Sequence, residues 1–508
     1  MAISFNRIPR NLRLRLFWAE MDPTKAGTFV NSRRMLILGH KLAGGSMATL
    51  DLNRIGNADM GIRLGGIGSM FSRAHSALRI NNGFDDVWGV AVPEPAAGQY
   101  AAGAVAITHA AVSRGTLSLY VAGQKVTAAV GAGDSQQSQA TALYNAINAN
   151  SELPITATAP TNGSIPVTCK WKGETGNNID LRFNYRGLMG GEELPTGTTV
   201  AITPMAGGTG VPDLSPVYSL IGDQEFETYV NPWTDSAALD EIDLEMGDGD
   251  DGRWGWRRQL YGHVVSARDG SFASLSTFGG TRNGPHQTTW GLNGSPTPPW
   301  ERAAAWAAQA HRALMNDPAR PLGTLPILGV LAPAPADRFT KAEQNALLYD
   351  GISVSDELPD NSLAIQQVIT HYQTNAYGLD DNSMLKWNTL ATYAYVIRSL
   401  RARITSRFPR SKLANDGTRV GPGQAVVTPS LAKGEIFSHY RELEYVGLLE
   451  NADAAMRNTI VERDIDNPDR LNVLYTPDLV NQLDVFALVA QYRLQFAPDL
   501  GQATVPLV

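Results

Sequence analysis

The sequence predicts an α/β fold, and three patterns carry that prediction. Strand-like and helix-like segments alternate through much of the chain. A low-charge block rich in Ala, Gly, Thr and Ser interrupts them, and both termini alternate polar with apolar residues. Met35-Leu36-Ile37-Leu38 is a short apolar run ended by Gly39. Asp59 to Ile80 reads as one helix, with Ile62, Met70, Phe71, Ala74 and Leu78 apolar. Val87-Trp88-Gly89-Val90-Ala91-Val92 then reads as a buried strand stopped by Pro93. Strand, helix, strand in this order indicates a crossover unit and a parallel sheet. Further strands are expected at Leu260–Ala267 and Leu325–Leu331. A helix is expected between them over Pro299–Asn316, where Ala303, Ala307, Ala310 and Leu314 fall at helical spacing.

Residues 96–212 form the low-charge block. Strands are expected at 116–122, 124–130, 154–159, 164–171 and 179–185, with a helix over 134–150. Pro93-Glu94-Pro95 and Gly207-Gly208-Thr209-Gly210 bound the block, so it reads as a small α+β domain inserted into the α/β domain. Cys169 lies between Val167 and Trp171 on the apolar face of its strand, where a thiol packs as a small hydrophobe.

Residues from 384 onward form a third region, expected to be α+β. Met384–Phe408 reads as a long amphipathic helix with Leu390, Tyr393, Ile397, Leu400, Ile404 and Phe408 in one stripe. A second helix is expected near Glu435–Glu450 and a third over Pro477–Val489. At the chain ends, Leu12, Leu14 and Leu16 alternate with Arg13 and Arg15. Ala490, Tyr492, Leu494 and Phe496 likewise alternate with Gln491, Arg493 and Gln495. Both ends therefore read as isolated strands.

Composition limits what such a chain can do. With 508 residues, roughly three domains follow from ~150 residues per domain. Hydrophobic residues at 43% and charged residues at 18% support a large core and exclude global disorder. A net charge of −7 is too mild to argue for nucleic acid, and one cysteine excludes an intramolecular disulfide framework or a CxxC site. No apolar run reaches the ~18 residues of a membrane span. Arg7, Arg10, Arg13 and Arg15 interrupt any secretion signal, so synthesis and folding in the cytosol are expected.

A search for chemistry finds no complete constellation. No P-loop and no HExxH occurs, and Gly66-Ile67-Gly68-Ser69-Met70-Phe71 fits a dinucleotide turn neither in its last residue nor in its helical context. His439 has Glu442 at i+3 and no second ligand nearby in the sequence, so it reads as a helix-surface histidine. Gly44-Gly45-Ser46-Met47-Ala48 is similar to the serine motif of subtilisin-like proteases. However, only His40 precedes it closely and the serine comes far too early, so a loop is expected. The run Asp235–Asp251 holds eight carboxylates, among them Asp248, Asp250 and Asp251, without the EF-hand spacing, and reads as a solvated loop facing basic neighbours. Lys386–Lys412 holds seven Lys or Arg and no acid. Arg403, Arg407 and Arg410 are expected on one helix face, as a protein contact to an acidic patch of another subunit. No catalytic, metal or cofactor-binding residues are assigned.

The terminal strands are the remaining feature. Unpaired N–H and C=O groups are normally hidden, either by pairing with each other or with the core, or by adding to a sheet of a neighbouring chain. Ile3-Ser4-Phe5-Asn6-Arg7-Ile8-Pro9 followed by a short basic strand resembles the opening of Mu-type contractile phage tail sheath proteins. Leu117-Ser118-Leu119-Tyr120-Val121-Ala122-Gly123-Gln124-Lys125-Val126, Gly173-Glu174-Thr175-Gly176-Asn177-Asn178-Ile179 and the Thr428–Phe496 block are similar to that family too. The likeness runs over essentially the whole chain.

The resemblance implies a structural subunit, not an enzyme, with no cofactor, no direct contact with nucleic acid and no membrane insertion. It implies a subtilisin-like α/β core without a catalytic triad. Copies would form hexameric rings in a helical polymer around a tail tube protein, with baseplate and tail terminator proteins as further partners. Assembly would take place in the host cytoplasm, and the product would be a virion tail. Contraction would be a switch between two packings of one polymer, driving the tube through the host envelope. The implied layout is an N-terminal arm at 1–20, a core at 21–95 and 213–383, and an inserted outer domain at 96–212. A C-terminal domain at 384–489 and a C-terminal arm at 490–508 complete it. Arm strands would be Arg13, Leu14, Arg15, Leu16 and Phe17, with Gln491, Tyr492, Arg493, Leu494, Gln495 and Phe496, and tube contact is expected from the C-terminal region. Asp248, Asp250 and Asp251 with Arg403, Arg407 and Arg410 are the candidate exchangeable charge contacts, each pair worth ~0–1 kcal/mol when exposed. The alternatives are the sheath of a capsid-less, pyocin-like device and a serine hydrolase using Ser46.

Overall fold

A computed structural model describes residues 34–494. β1 (Arg34–Gly39) buries Met35–Leu38 completely and pairs in parallel with β3 (Asp86–Ala91), while β2 (Leu52–Ile55) runs antiparallel to β3. The single helix expected over 59–80 is two helices, α1 (Ala58–Gly65) and α2 (Met70–Asn81). Gly66 and Gly68 take φ of 86° and 75°, left-handed values that end a helix and suit glycine. Ser69 then starts α2, its side chain accepting from the Ser72 amide at 3.0 Å.

The low-charge block contributes β4 (Tyr100–Ile107), β5 (Gly115–Val121), β6 (Gln124–Val130), α3 (Gln136–Ala149), β7 (Ile155–Ala157), β8 (Ser164–Lys172), β9 (Leu181–Phe183) and β10 (Val200–Ala206). They form a four-stranded sheet, β10-β4-β8-β7, and a three-stranded sheet, β6-β5-β9. The sequence reading lacked β4 and β10. In β4 five of the eight residues are Ala or Gly, and a Cβ on Gly103 would come within 2.8 Å of the Thr203 carbonyl oxygen. Between β5 and β6, Ala122 and Gly123 both have positive φ, the two-residue geometry that matches the twist of a hairpin. Cys169 is buried between Val167 and Trp171 as expected, and burial pushes its thiol up to about 12.

This block shares one continuous core with the larger sheet. Trp171 meets Trp300 edge-on, ring centres 5.5 Å apart. Arg73 on α2 donates to Glu301 at 2.6 Å, to the Glu152 carbonyl at 3.0 Å and to the Ala122 carbonyl at 2.9 Å.

The second half adds α4 (Ser215–Ile221), β11 (Thr228–Val230), α5 (Ser236–Met246), β12 (His263–Asp269), α6 (Phe272–Gly279), β13 (Gln287–Leu292), α7 (Pro299–Asn316), β14 (Pro326–Ile327), α8 (Lys341–Tyr349), β15 (Ile352–Glu357) and β16 (Leu363–Gln367). The large sheet has the order β14-β16-β15-β13-β12-β11-β1-β3-β2, and the run β3-β1-β11-β12-β13-β15 is parallel throughout. α7 matches its expected span. The strand expected at 260–267 begins at His263, because the Leu260 amide is held by the Arg253 carbonyl in a turn. The strand expected at 325–331 shrinks to β14, because the Leu328 amide bonds the Asn81 side chain and Gly329 turns away at φ 79°.

The C-terminal region holds α9 (Trp387–Arg407), β17 (Lys412–Leu413), β18 (Val426–Val427), α10 (Pro429–Tyr445), α11 (Ala452–Asn458), β19 (Ile460–Arg463) and β20 (Leu471–Leu474). A second core of Val396, Tyr440, Leu443, Leu448, Leu449, Ala452 and Ala455 lies here. α9 does not bury the expected stripe. Its buried residues include Trp387, Leu390, Thr392, Ala394, Val396 and Ser399, while Tyr393 is exposed. No helix forms over Pro477–Val489. The Glu450 amide bonds the Asp478 carbonyl and the Val480 amide bonds the Leu448 carbonyl, so backbone groups a helix would use internally pair with the chain beside α11.

Candidate assembly surfaces

The acidic and basic runs find their partners locally. Asp235 caps α5, accepting from the Ala238 amide at 2.9 Å, so most of the expected acidic loop is helical. Asp248 lies 3.1 Å from His286 Nε2, Asp250 accepts from the Trp256 indole at 2.9 Å, and Asp251 pairs with Arg257 at 3.3 Å. Arg403 pairs with Glu435 and with Glu442, the latter at 3.1 Å, and Arg407 lies 3.6 Å from Glu435, so both bridge α9 to α10. Arg410 is exposed beyond the end of α9 and does not share its face with Arg403 and Arg407. Among the described residues no ion pair joins the two candidate groups.

A different pair links α9 to the large sheet. Arg398 donates to Glu227 at 2.7 Å and to the Tyr261 carbonyl at 2.6 Å, and reaches Glu225 at 2.5 Å. Burial raises the Glu227 carboxyl above its ordinary value, opposed by the Arg398 guanidinium. Sequence reading passed over Arg398 because Glu225 and Glu227 lie outside the conspicuous acidic run.

The terminal strands fall at the limits of the described chain. Arg13, Leu14, Arg15, Leu16, Phe17, Gln495 and Phe496 lie outside the described residues. Gln491, Tyr492, Arg493 and Leu494 carry no strand pairing among the described residues. The last side-chain anchor of this segment is Asp484, which meets Lys386 and accepts from Gln367 at 3.3 Å. Beyond it Val485, Phe486, Leu488, Val489, Tyr492 and Leu494 are all largely exposed. Nearby in the chain, β19 and β20 form a two-stranded antiparallel ladder, Ile460 opposite Leu474 and Arg463 opposite Leu471. As a two-stranded sheet it presents an outer edge on each strand, with Ile460, Val473 and Leu474 exposed.

The residues singled out for chemistry are in ordinary settings. Ser46 is an exposed loop residue whose Oγ donates to the Arg63 carbonyl at 3.2 Å. The His40 ring is buried, with Nδ1 3.0 Å from the Val92 carbonyl and the ring edge-on to Trp233, and burial lowers it to about 4. His439 is not a surface histidine. It is buried between α10 and α9, its Nε2 3.0 Å from Ser399 Oγ. Among the described residues no three His, Cys, Asp or Glu side chains are grouped to hold a metal ion, and no helix is long and apolar enough to cross a membrane.

Among the described residues, then, an α/β body carries an exposed apolar segment at 485–494 and a separate two-stranded sheet, β19-β20. Residues 380–493 match the family model described as the phage tail sheath C-terminal domain, which places the chain in the class of tail sheath subunits. Over 496 residues it is 38% identical to the Mu-like prophage FluMu tail sheath protein of Haemophilus influenzae, covering 97% of this chain and 100% of that protein. The chain belongs to the Mu-like tail sheath protein family and is a structural subunit of a phage tail sheath. Among solved structures it is similar to the sheath tail protein of Desulfitobacterium hafniense (12% identity, 92% of this chain, 97% of that chain, TM-score 0.49). It is also similar to the helical sheath of the anti-feeding prophage in its contracted state (10% identity, 96% of this chain, 100% of that chain, TM-score 0.44).

Proposed function

We propose that this subunit polymerises around an inner tail tube and contracts to drive that tube through the host envelope. Copies are linked through their terminal segments. The carrying observation is the run 485–494, apolar and exposed beyond its anchor at Asp484, together with β19 and β20, which pair only with each other among the described residues. Exposed apolar side chains with unpaired backbone are completed by adding to a sheet edge of another copy, and each backbone hydrogen bond so formed nets about 1 kcal/mol. Segments joined only at strands keep connectivity while the bodies rotate, which suits a polymer with two packings.

The subunit would form hexameric rings, contact the tube through its C-terminal region and meet baseplate and tail terminator proteins at the ends. Assembly would take place in the host cytoplasm. The six-stranded parallel run supports reading 21–95 with 213–383 as a subtilisin-like core without a triad, with 96–212 inserted and 384–489 as the C-terminal domain. Asp248, Asp250, Asp251, Arg403 and Arg407 would exchange their local partners for those of a neighbour on contraction, and the exposed Arg410 would join them. Deleting residues 1–18 should abolish long polymers in sedimentation while far-ultraviolet circular dichroism stays native. Long sheaths from that deletion would overturn the arm linkage.

A further inference from the structure

Helix α9 is gripped on two sides by buried histidines. From the large sheet, His263 at the start of β12 stacks on Trp387, the first residue of α9, with ring centres 4.4 Å apart and planes 20° from parallel. From α10, His439 meets Ser399 Oγ at 3.0 Å. The His263 ring uses Nε2 on Thr288 Oγ1 at 2.8 Å. In both rings the remaining nitrogen, Nδ1, is buried and faces no acceptor. A neutral ring satisfies this arrangement with one hydrogen bond, whereas a protonated ring would place a charged N–H where nothing receives it.

We propose that α9 is docked by neutral histidines and that acid releases it: protonation of His263 and His439 undocks α9 from the sheet and from α10 together. Because Lys386 beside α9 meets Asp484, undocking would also loosen the anchor of the exposed terminal segment.

The surrounding charges support this. His263 faces Glu227 beside β11, Arg398 on α9, His286 before β13 and His371 after β16. His311 on α7 is bonded through Thr228 and lies near Asp85, while Asp248 and Arg282 stand behind His286 and His371. Glu227 gives Oε2 to Arg398 at 2.7 Å, and its Oε1, buried without a partner, makes no hydrogen bond to either histidine. His439 faces Arg403 against Glu435 and Glu442. Burial lowers His263 well below its ordinary value and lowers His439 to about 4. A base whose folded value is depressed gives stability that is complete above the unfolded value of ~6.5 and is lost as pH falls toward the folded value.

Hydrogen exchange on the full chain, corrected for intrinsic rates, tests this at pH 7.0 and pH 4.5. Amides of 387–407 should lose at least tenfold protection at the lower pH while β5, β6 and α3, which contain no histidine, keep theirs. The double variant His263→Phe, His439→Leu should hold α9 equally at both pH values. Unchanged α9 protection, simultaneous loss in α9 and β5, or a variant as acid-sensitive as the parent would each overturn the proposal. Should the variant fail to fold, titration of Cε1-labelled histidine in the parent chain decides. His263 and His439 must titrate well below the ordinary ~6.5, and values near it would contradict the account.

Discussion

Arg73 shows how much one side chain can join. It links α2, the turn before β6, the approach to β7 and the N-terminal turn of α7 by three hydrogen bonds, one of them to Glu301, which is itself largely buried. Arg73→Met would leave that carboxylate without its partner, and breaking such a pair costs about 3–5 kcal/mol. Denaturant unfolding should show a loss of that order. A loss below about 1 kcal/mol would mean the pair is dispensable. Cys169 gives a second test at this scale. With its thiol buried and pushed up to about 12, it should not react with a disulfide reagent at pH 8 until the chain unfolds. Cys169 was legible in the sequence because strand periodicity placed it between Val167 and Trp171. Arg73 was not, since its partners lie 49, 79 and 228 residues away.

Among elements, those with strong local signals were legible and those set by distant contacts were not. α7 matched residue for residue because its apolar spacing and its Pro start coincide. β13 was invisible, since Gln287, Thr288 and Thr289 read as polar. All three are buried, with Thr288 meeting His263 and Thr289 meeting His371 at 2.8 Å. Pro477–Val489 carried a helical reading that lost to backbone pairing with residues 448–450. α9 was found, but its buried face was misread because Ala394 and Ser399 face inward where larger residues were expected. Its salt bridge to the sheet gives an element-scale prediction. Arg398→Met should destabilise the chain by about 3 kcal/mol by stranding Glu227, and adding Glu227→Leu should recover most of the loss. Calorimetric melting of the two variants checks this, and equal melting of single and double variants would contradict it. The break between α1 and α2 gives another. Gly68→Ala should cost about 1–3 kcal/mol, since φ is +75° and a Cβ would meet the Ser151 carbonyl oxygen at 2.6 Å.

For the molecule as a whole, the sequence pointed correctly to a sheath subunit through the order of its features. It could not place the charge partners of the acidic and basic runs, because these runs pair not with each other but with groups set by the fold, such as His286 for Asp248, Glu435 for Arg403 and Glu227 for Arg398. The assembly proposed above therefore draws on the ends of the chain more than on those charges. Negative-stain electron microscopy of two purified proteins tests this most directly: the full chain, and a chain ending at Asp484 that keeps every described element of secondary structure. The full chain should form long tubes with a helical repeat, and the shortened chain should remain as compact single particles with native circular dichroism. Tubes of equal length from both would contradict the account.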